Sequence, residues 1–86
     1  MPTARDQHDP RRVAAWERRR RQIGLRVQSL RIEKGLTQEQ LALLAGLSRG
    51  TLIAIEHGTS GILVERCFDI AKVLDISGAE LIEGIR

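Results

Sequence analysis

Apolar residues recur at helical spacing in five segments of the chain, and short polar or glycine-containing stretches separate these segments. The first apolar stripe falls roughly on one helix face and consists of Val13, Trp16, Ile23, Val27 and Leu30. Asp9-Pro10 is typical of a helix start, because Asp can cap a helix and Pro suits its first position. Lys34-Gly35 is typical of a helix end, with a cation in the last turn and a glycine for a left-handed cap. We therefore predict a helix from about Arg11 to Glu33, with a stripe interrupted by Arg18–Arg21 and weakened by Gly24.

Two short helices are predicted in the middle of the chain. Thr37 and Gln40 form a capping-box pattern that opens a helix ending at Gly46, where the turn needs a positive φ. The residues of this helix expected to face inward are Leu41, Leu44 and Ala45. Ser48 caps the next helix, which closes at His57-Gly58. The apolar face of that helix is expected to carry Leu52 and Ile55.

Two further patterns complete the chain. A fourth amphipathic helix is expected to bury Val64, Cys67, Phe68, Ala71 and Leu74. Ser77 and Glu80 form a second capping box, which opens a short fifth helix containing Leu81 and Ile82. The connections between helices are short and leave no room for a sheet. The pattern therefore predicts an all-α fold of five helices.

Size and composition narrow the class of protein. The chain has 86 residues, enough for one domain, and its single Trp, single Phe and absent Tyr suit packing of helices on helices. Cys67 is the only cysteine, so no intrachain disulfide forms and a reducing compartment is expected. The N-terminus has no apolar signal segment, and the longest apolar stretch, Leu41–Leu47, is too short to span a bilayer. We therefore expect a cytoplasmic protein without a membrane contact.

Charge is distributed unevenly along the chain. Residues 1–34 carry ten basic and four acidic side chains, whereas residues 35–86 carry four basic and seven acidic ones. A basic block of this kind, with its run at Arg18–Arg21, suits a polyanionic partner. A solvated helix face would have the same composition, so charge alone does not identify the partner.

The second and third predicted helices are separated by a very short turn. Such a turn forces their axes to cross steeply, at roughly 90–120°, in a helix-turn-helix arrangement. Leu47, together with Leu52 and Ile55, would anchor the third helix to the body of the domain. The residues left pointing outward are Arg49, Gly50, Ile53, Ala54 and His57. A helix presented in this way fits the major groove of double-stranded DNA.

Several segments together form one wider sequence pattern. They are Ile23-Gly24-Leu25-Arg26, Leu30-Arg31, Lys34-Gly35-Leu36-Thr37-Gln38-Glu39-Gln40-Leu41-Ala42, Ala45-Gly46-Leu47-Ser48-Arg49, Ile55-Glu56-His57-Gly58 and Ile70-Ala71-Lys72-Val73-Leu74. The pattern resembles the lambda-repressor/Cro-like (XRE-type) helix-turn-helix DNA-binding domain and covers about Ile23 to Glu83. The resemblance implies a five-helix lambda-repressor-like domain at residues 23–86. Residues 1–22 would then form a basic arm that extends the first helix.

The resemblance also implies individual roles. The third predicted helix, about Arg49–His57, matches the recognition helix, which lies in the major groove. Gln38 matches a residue that contacts a DNA phosphate and braces the recognition helix, and His57 matches a phosphate contact just past that helix. The positions that match base contacts are Arg49, Gly50 and Ala54. Those that match contacts near the backbone or a base edge are Ser48 and Thr51, and Arg26 matches a frequent basic position on the first helix. Arg31 and Glu56 match a structural ion pair between the first and third helices.

Simpler interpretations of these residues stay open. Gln38 is also an ordinary first-turn helix residue, and Arg49 would serve equally as a phosphate contact instead of a guanine contact. His57 suits the C-terminal end of any helix. Gly50, Ile53 and Ala54 stand where relatives commonly carry polar side chains, so we expect modest specificity with a larger share for DNA shape. Leu63 stands where a Ser or Thr cap is usual, which leaves the start of the fourth helix in doubt.

The basic arm has three interpretations. It adds phosphate or minor-groove contacts; it packs Val13 and Trp16 against a second protomer or the domain itself; or it is a solvated tail. The sequence alone does not choose between them.

The function predicted from these features is that of a DNA-binding transcription regulator, which binds as a homodimer to a nearly palindromic site. The family resemblance favours a repressor over an activator. The rival hypothesis is a protein-interaction module, antitoxin-like or an adaptor, in which Ile53 and Ala54 belong to an apolar docking patch. An enzyme is not expected, because the two histidines, His8 and His57, join no catalytic or metal-binding set. No cofactor is implied.

Overall fold

The computed structural model describes residues 9–86 and shows five α-helices over that range. They are α1 (Pro10–Glu33), α2 (Gln38–Ala45), α3 (Arg49–His57), α4 (Val64–Val73) and α5 (Gly78–Ile82). The all-α prediction is therefore confirmed. The first eight residues, including His8, lie outside the described range, and so does the part of the predicted arm that they form.

The helix ends are set by local capping. The Asp9 side chain accepts from the Arg11 N–H at 2.9 Å, and Pro10 takes the first helical position. Complete capping boxes open α2 at Thr37 and α5 at Ser77, and the Ser48 hydroxyl caps α3. Leu63 precedes α4 without a side-chain cap, as its apolar side chain requires. Both ends of α1, α2 and α3 and the start of α5 agree with the sequence predictions to within a residue.

The core lies between the five helices, each of which packs on at least two others. Its buried apolar side chains are Val27, Leu41, Ala42, Ala45, Leu47, Leu52, Ile55, Ile70, Ala71, Leu74 and Leu81. α1 packs on α3 and on α5, α2 packs on α3 and α4, and α4 packs on α5. No helix in the described range is long and apolar enough to cross a membrane.

Two predicted inward faces are wrong in part. Leu44 is 62% exposed, and Ala42 takes the buried position on α2 instead. On α4, Val64 and Phe68 are 68% and 61% exposed, whereas Ile70 is fully buried. α4 carries apolar residues on more than one face, so helical spacing alone does not determine its rotation about its axis. Cys67 is half-buried against the core.

Candidate DNA-binding site

The turn between α2 and α3 is fixed by backbone hydrogen bonds. Gly46 has a φ of +73°, and its N–H donates to the Leu43 carbonyl. The Leu47 N–H donates to the Ala42 carbonyl at 2.8 Å, and the Leu47 side chain is buried. This pair of bonds is a Schellman motif, in which a left-handed residue ends the helix and the next apolar residue packs back on it. It leaves a single residue, Ser48, before α3 begins.

The N-terminus of α3 presents two hydroxyls and a guanidinium. The Ser48 Oγ accepts from the Thr51 N–H at 3.1 Å and donates to Thr51 Oγ1 at 2.8 Å. The Ser48 proton is therefore engaged inside the protein, whereas the Thr51 hydroxyl keeps its own proton for an outside acceptor. Arg49, Gly50 and Thr51 are all exposed on this first turn.

The other residues predicted to point outward from α3 differ in their exposure to solvent. Ile53 and Ala54 are half-buried, and His57 is exposed at the C-terminal end. A Cβ built at Gly50 meets no atom within 4 Å, so any side chain at this position would extend into open space. The first turn of α3 is therefore its accessible part, and Gly50 is a gap within it.

A buried ion pair holds α3 against α1. Arg31 Nε lies 2.7 Å from Glu56 Oε2 and Arg31 Nη2 lies 3.1 Å from Glu56 Oε1, and the Glu56 side chain has no exposed surface. Arg31 Nη1 also donates to the Leu36 carbonyl at 2.9 Å, just before α2. Gln38 Nε2 donates to Glu56 Oε1 at 3.1 Å, which joins the start of α2 to the same network. One carboxylate thus links α1, α2 and α3.

Gly24 has a role that the sequence did not indicate. A Cβ built there would collide with the carbonyl oxygens of Ile55 and Glu56 on α3. The two helices therefore approach with backbone against backbone, which only a residue without a side chain permits. The glycine that appeared to weaken α1 is the point where α1 contacts α3.

Arg26 lies on another side of α1 from Gly24. Its Nη1 donates to the Glu80 carbonyl at 3.0 Å and its Nη2 donates to the Glu83 carbonyl at 2.8 Å. It therefore binds the C-terminal end of α5, where a cation meets free carbonyls and the negative end of the helix. The other residues predicted to contact DNA lie on or beside α2 and α3, so the structure does not bring Arg26 together with them.

Arg66 was not singled out from the sequence, yet it contacts the helix-turn-helix turn. Its Nη1 lies 3.3 Å from the Gly46 carbonyl, so a residue of α4 supports the chain between α2 and α3. A basic residue on the polar face of an amphipathic helix carries no sequence signal for such a contact.

Comparisons with known proteins agree with this arrangement. The family model described as Helix-turn-helix, HTH_3, matches residues 27–81, which include all of α2, α3 and α4. The chain belongs to this family. Its members are lambda-repressor-like (XRE-type) proteins that bind DNA and regulate transcription.

Individual relatives match over most of this HTH_3 chain. An uncharacterised HTH-type transcriptional regulator, y4dJ from Sinorhizobium fredii, is 35% identical over 63 residues, which are 73% of this chain and 82% of the relative. The restriction-modification controller protein C.AhdI from Aeromonas hydrophila is 37% identical with a TM-score of 0.70, covering 72% of this chain and 94% of that one. The complex of the SinR and SinI proteins matches at 30% identity and a TM-score of 0.70, covering 72% of this chain and 61% of that one.

Cys67 is the one cysteine of this HTH_3 chain, and its side chain is half-buried. Burial raises the pKa of the Cys67 thiol, which disfavours the reactive thiolate. Within residues 9–86 no three His, Cys, Asp or Glu side chains are grouped so that they could hold a metal ion. The family to which the chain belongs binds DNA and regulates transcription.

Proposed function

We propose that this HTH_3 protein represses transcription by binding as a homodimer to a two-fold symmetric DNA site. The observation that carries the proposal is the first turn of α3, where Arg49, Gly50 and Thr51 are exposed together on a helix fixed by a buried ion pair. A helix held rigidly on the body of the domain positions its side chains precisely enough to distinguish base edges.

The exposed side chains of α3 would each make a particular kind of contact with DNA. The Arg49 guanidinium would donate two hydrogen bonds to O6 and N7 of a guanine, worth about 1–3 kcal/mol of discrimination. The Thr51 hydroxyl would donate its free proton to a base edge or a phosphate. Ile53 and Ala54 would contact a thymine methyl group. Direct contacts to bases thus rest mainly on Arg49.

Phosphate contacts would orient the helix in the groove. Gln38 stands at the N-terminus of α2, where free backbone N–H groups favour an anion, and its amide also braces Glu56. Ser48 would act through its backbone N–H, because its hydroxyl is engaged with Thr51. His57 lies exposed at the opposite end of α3 and would contact a second phosphate.

The homodimer follows from the small number of these base contacts. One copy offers a single side chain with a strong preference for one base, which gives too little selectivity against bulk DNA. Two copies related by a two-fold axis would double the contacts, with half-sites about one helical turn apart. The likeness to a restriction-modification controller protein and to a transcriptional regulator supports a regulatory role for such binding.

The test is selection of bound duplexes from a random DNA pool, followed by the same selection with Arg49→Ala. We expect the wild-type protein to enrich a two-fold symmetric motif that contains guanine in each half-site. Arg49→Ala should lose the preference for that guanine and still bind DNA weakly at low salt. Enrichment of an unchanged motif by the variant would exclude Arg49 as the main base contact.

A second candidate function is a protein-interaction module. It is favoured by exposed apolar side chains on α2 and α4, namely Leu43, Leu44, Val64 and Phe68, and by the likeness to a regulator solved with a protein partner. Retention of bulk DNA without any enriched motif, by a protein that sediments as a monomer, would favour this candidate over the repressor.

A further inference from the structure

The first helix continues well beyond the part of the chain that the HTH_3 family model matches. α1 begins at Pro10, whereas the match begins at residue 27 and the backbone contact with α3 is at Gly24. The fourteen residues Pro10–Ile23 span about 21 Å at 1.5 Å per residue. The molecule is correspondingly elongated, with extents of 46 × 25 × 19 Å. We call the segment Pro10–Arg21 the α1 extension.

The C-terminal end of the α1 extension lies beside the end of the recognition helix, α3. Arg20 lies one helical turn before Gly24 and so shares the face of α1 that packs on α3. Because α3 ends at His57, the side chains in this turn of α1 meet the loop that follows α3. Gly58 lies so close to Arg21 that a Cβ on Gly58 would be 2.9 Å from the Arg21 Cα.

The same loop borders the neighbouring arginines. Ser60, Gly61 and Ile62 line a cavity of about 130 Å³ whose other walls include Arg19 and Arg20. A Cβ on Gly61 would lie 3.8 Å from the Arg20 Nε. The loop after α3 therefore crosses α1 at Arg19–Arg21, and these three residues form one surface with the C-terminal end of the recognition helix.

Charge identifies the kind of partner that this surface fits. The α1 extension contains six arginines and one acid, Glu17. Within residues 9–86, none of Arg19, Arg20 and Arg21 has a carboxylate within ion-pair distance, whereas Arg11 pairs with Asp9. Arg19 and Arg21 are exposed and Arg20 is half-buried. Clustered arginines without internal partners suit an anion with many regularly spaced charges.

We propose that Arg19, Arg20 and Arg21 bind the phosphate backbone of the same duplex whose bases α3 contacts. The proposal rests on the proposed function. The base-contacting residues lie at the N-terminus of α3, inside the groove, so the opposite end of α3 and the loop after it face the phosphates at the edge of the groove. The arginines of α1 stand beside that loop and extend the phosphate contact onto a helix.

A second copy of the chain is a poorer partner for this surface. Pairing two α1 extensions would bring twelve arginines and two glutamates together, and like charges repel at close range. α4 by contrast carries balanced charge, with Glu65 and Asp69 against Arg66 and Lys72, besides its exposed apolar residues. A homodimer contact is therefore better placed on α4 than on the α1 extension.

The experiment compares two double variants of equal net charge on the duplex that wild-type protein selects. Arg19→Gln/Arg21→Gln removes two exposed cations beside α3, and Arg11→Gln/Arg12→Gln removes two exposed cations at the far end of the same helix. Each phosphate contact contributes about 0.9 to the slope of log K against log salt. Because each protomer of the homodimer would lose two phosphate contacts, we expect the first variant to lose about 3.6 units of slope. Raising salt from about 50 to 200 mM should then weaken its binding about 150-fold less than that of wild type. The control variant should keep the wild-type slope.

The two variants should also agree in sequence preference, because neither changes α3. Equal slopes for both variants would overturn the inference while leaving the repressor proposal intact. A wild-type protein without any preference among duplexes would instead contradict the proposed function. A shift of Arg19→Gln/Arg21→Gln from dimer to monomer, with an unchanged slope, would show that the surface contacts a second copy and would also overturn the inference.

Trp16 supplies an independent readout at the site itself. It is the only tryptophan, and it lies beside Arg19 and Arg20 on the α1 extension, lining a surface depression with them. We expect duplex binding to change the emission of Trp16 and to protect it from a soluble quencher, and we expect Arg49→Ala to retain both effects at low salt. Binding that leaves Trp16 emission and quenching unchanged would count against a contact with the α1 extension.

Discussion

Two glycines in helices, Gly24 and Gly50, should respond in opposite directions to the same substitution. Alanine favours a helix over glycine by about 0.5–1 kcal/mol, so helix propensity alone predicts that both Gly24→Ala and Gly50→Ala stabilise the protein. At Gly50 the new methyl group meets no atom within 4 Å, and the gain in propensity is retained. The expected increase in melting temperature is about 2–8 °C for a domain of this size.

At Gly24 the methyl group would collide with the backbone of α3. The atoms it meets are the carbonyl oxygens of Ile55 and Glu56, which cannot rotate away as the end of a side chain could. α1 must then move off α3, where the Arg31–Glu56 pair and the buried Val27 also lie. Overpacking of this kind costs about 1–3 kcal/mol in adaptable cores, and a rigid backbone places this site at the upper end. Allowing for the gain in propensity, we expect a net loss of about 2 kcal/mol.

The assay is urea unfolding of wild type and both variants, followed by circular dichroism, with thermal melts in parallel. Gly50→Ala serves as the control for helix propensity, because it makes the same chemical change without the contact. An unfolding free energy for Gly24→Ala equal to or above that of wild type would refute the close backbone contact between α1 and α3. A destabilised Gly50→Ala would refute the open space on the outer face of α3.

Two further predictions concern the polar contacts of α1. Glu56→Ala should lower the unfolding free energy by about 3–5 kcal/mol, since it leaves the Arg31 guanidinium buried without its carboxylate. Adding Arg31→Met should recover part of that loss in urea unfolding. Strictly additive losses for the two substitutions would contradict the pairing. Arg26→Gln should loosen the attachment of α5, which would appear as faster hydrogen exchange at the Leu81 amide, and should leave the DNA sequence preference unchanged. A loss of sequence preference at unchanged stability would instead assign Arg26 to the DNA contact.

The helix ends were predictable from sequence because they depend on residues close together in the chain. Thr37 and Ser77 bond to groups three residues away, and Gly46 supplies the positive φ within its own turn. Such contacts form whatever the rest of the fold does. The family resemblance similarly identified Arg31 and Glu56, although they lie on different helices.

The features that sequence did not predict depend on contacts distant in the chain. Arg26 bonds to carbonyls 54 and 57 residues away, and Gly24 faces the carbonyls of Ile55 and Glu56, 31 and 32 residues later. Neither residue type indicates such a partner in the sequence. An arginine on a basic helix fits a DNA contact equally well, and a glycine within a helix would ordinarily be expected only to destabilise it. The burial of Ile70 instead of Phe68 likewise depends on where α2 and α5 meet α4.

The two sides of α3 therefore differ in how strongly the fold depends on their side chains. Its inner side holds Leu52, Ile55 and the fully buried Glu56, and a change there disturbs α1 and α2 together, because Arg31 and Gln38 share the same carboxylate. Its outer first turn contacts nothing at Gly50 and uses only local hydroxyl bonds at Thr51. Side chains on the outer turn can consequently change without loss of the fold. Stability and base preference are separable in this helix, and Gly50 is the position where a new base contact could be introduced at no structural cost.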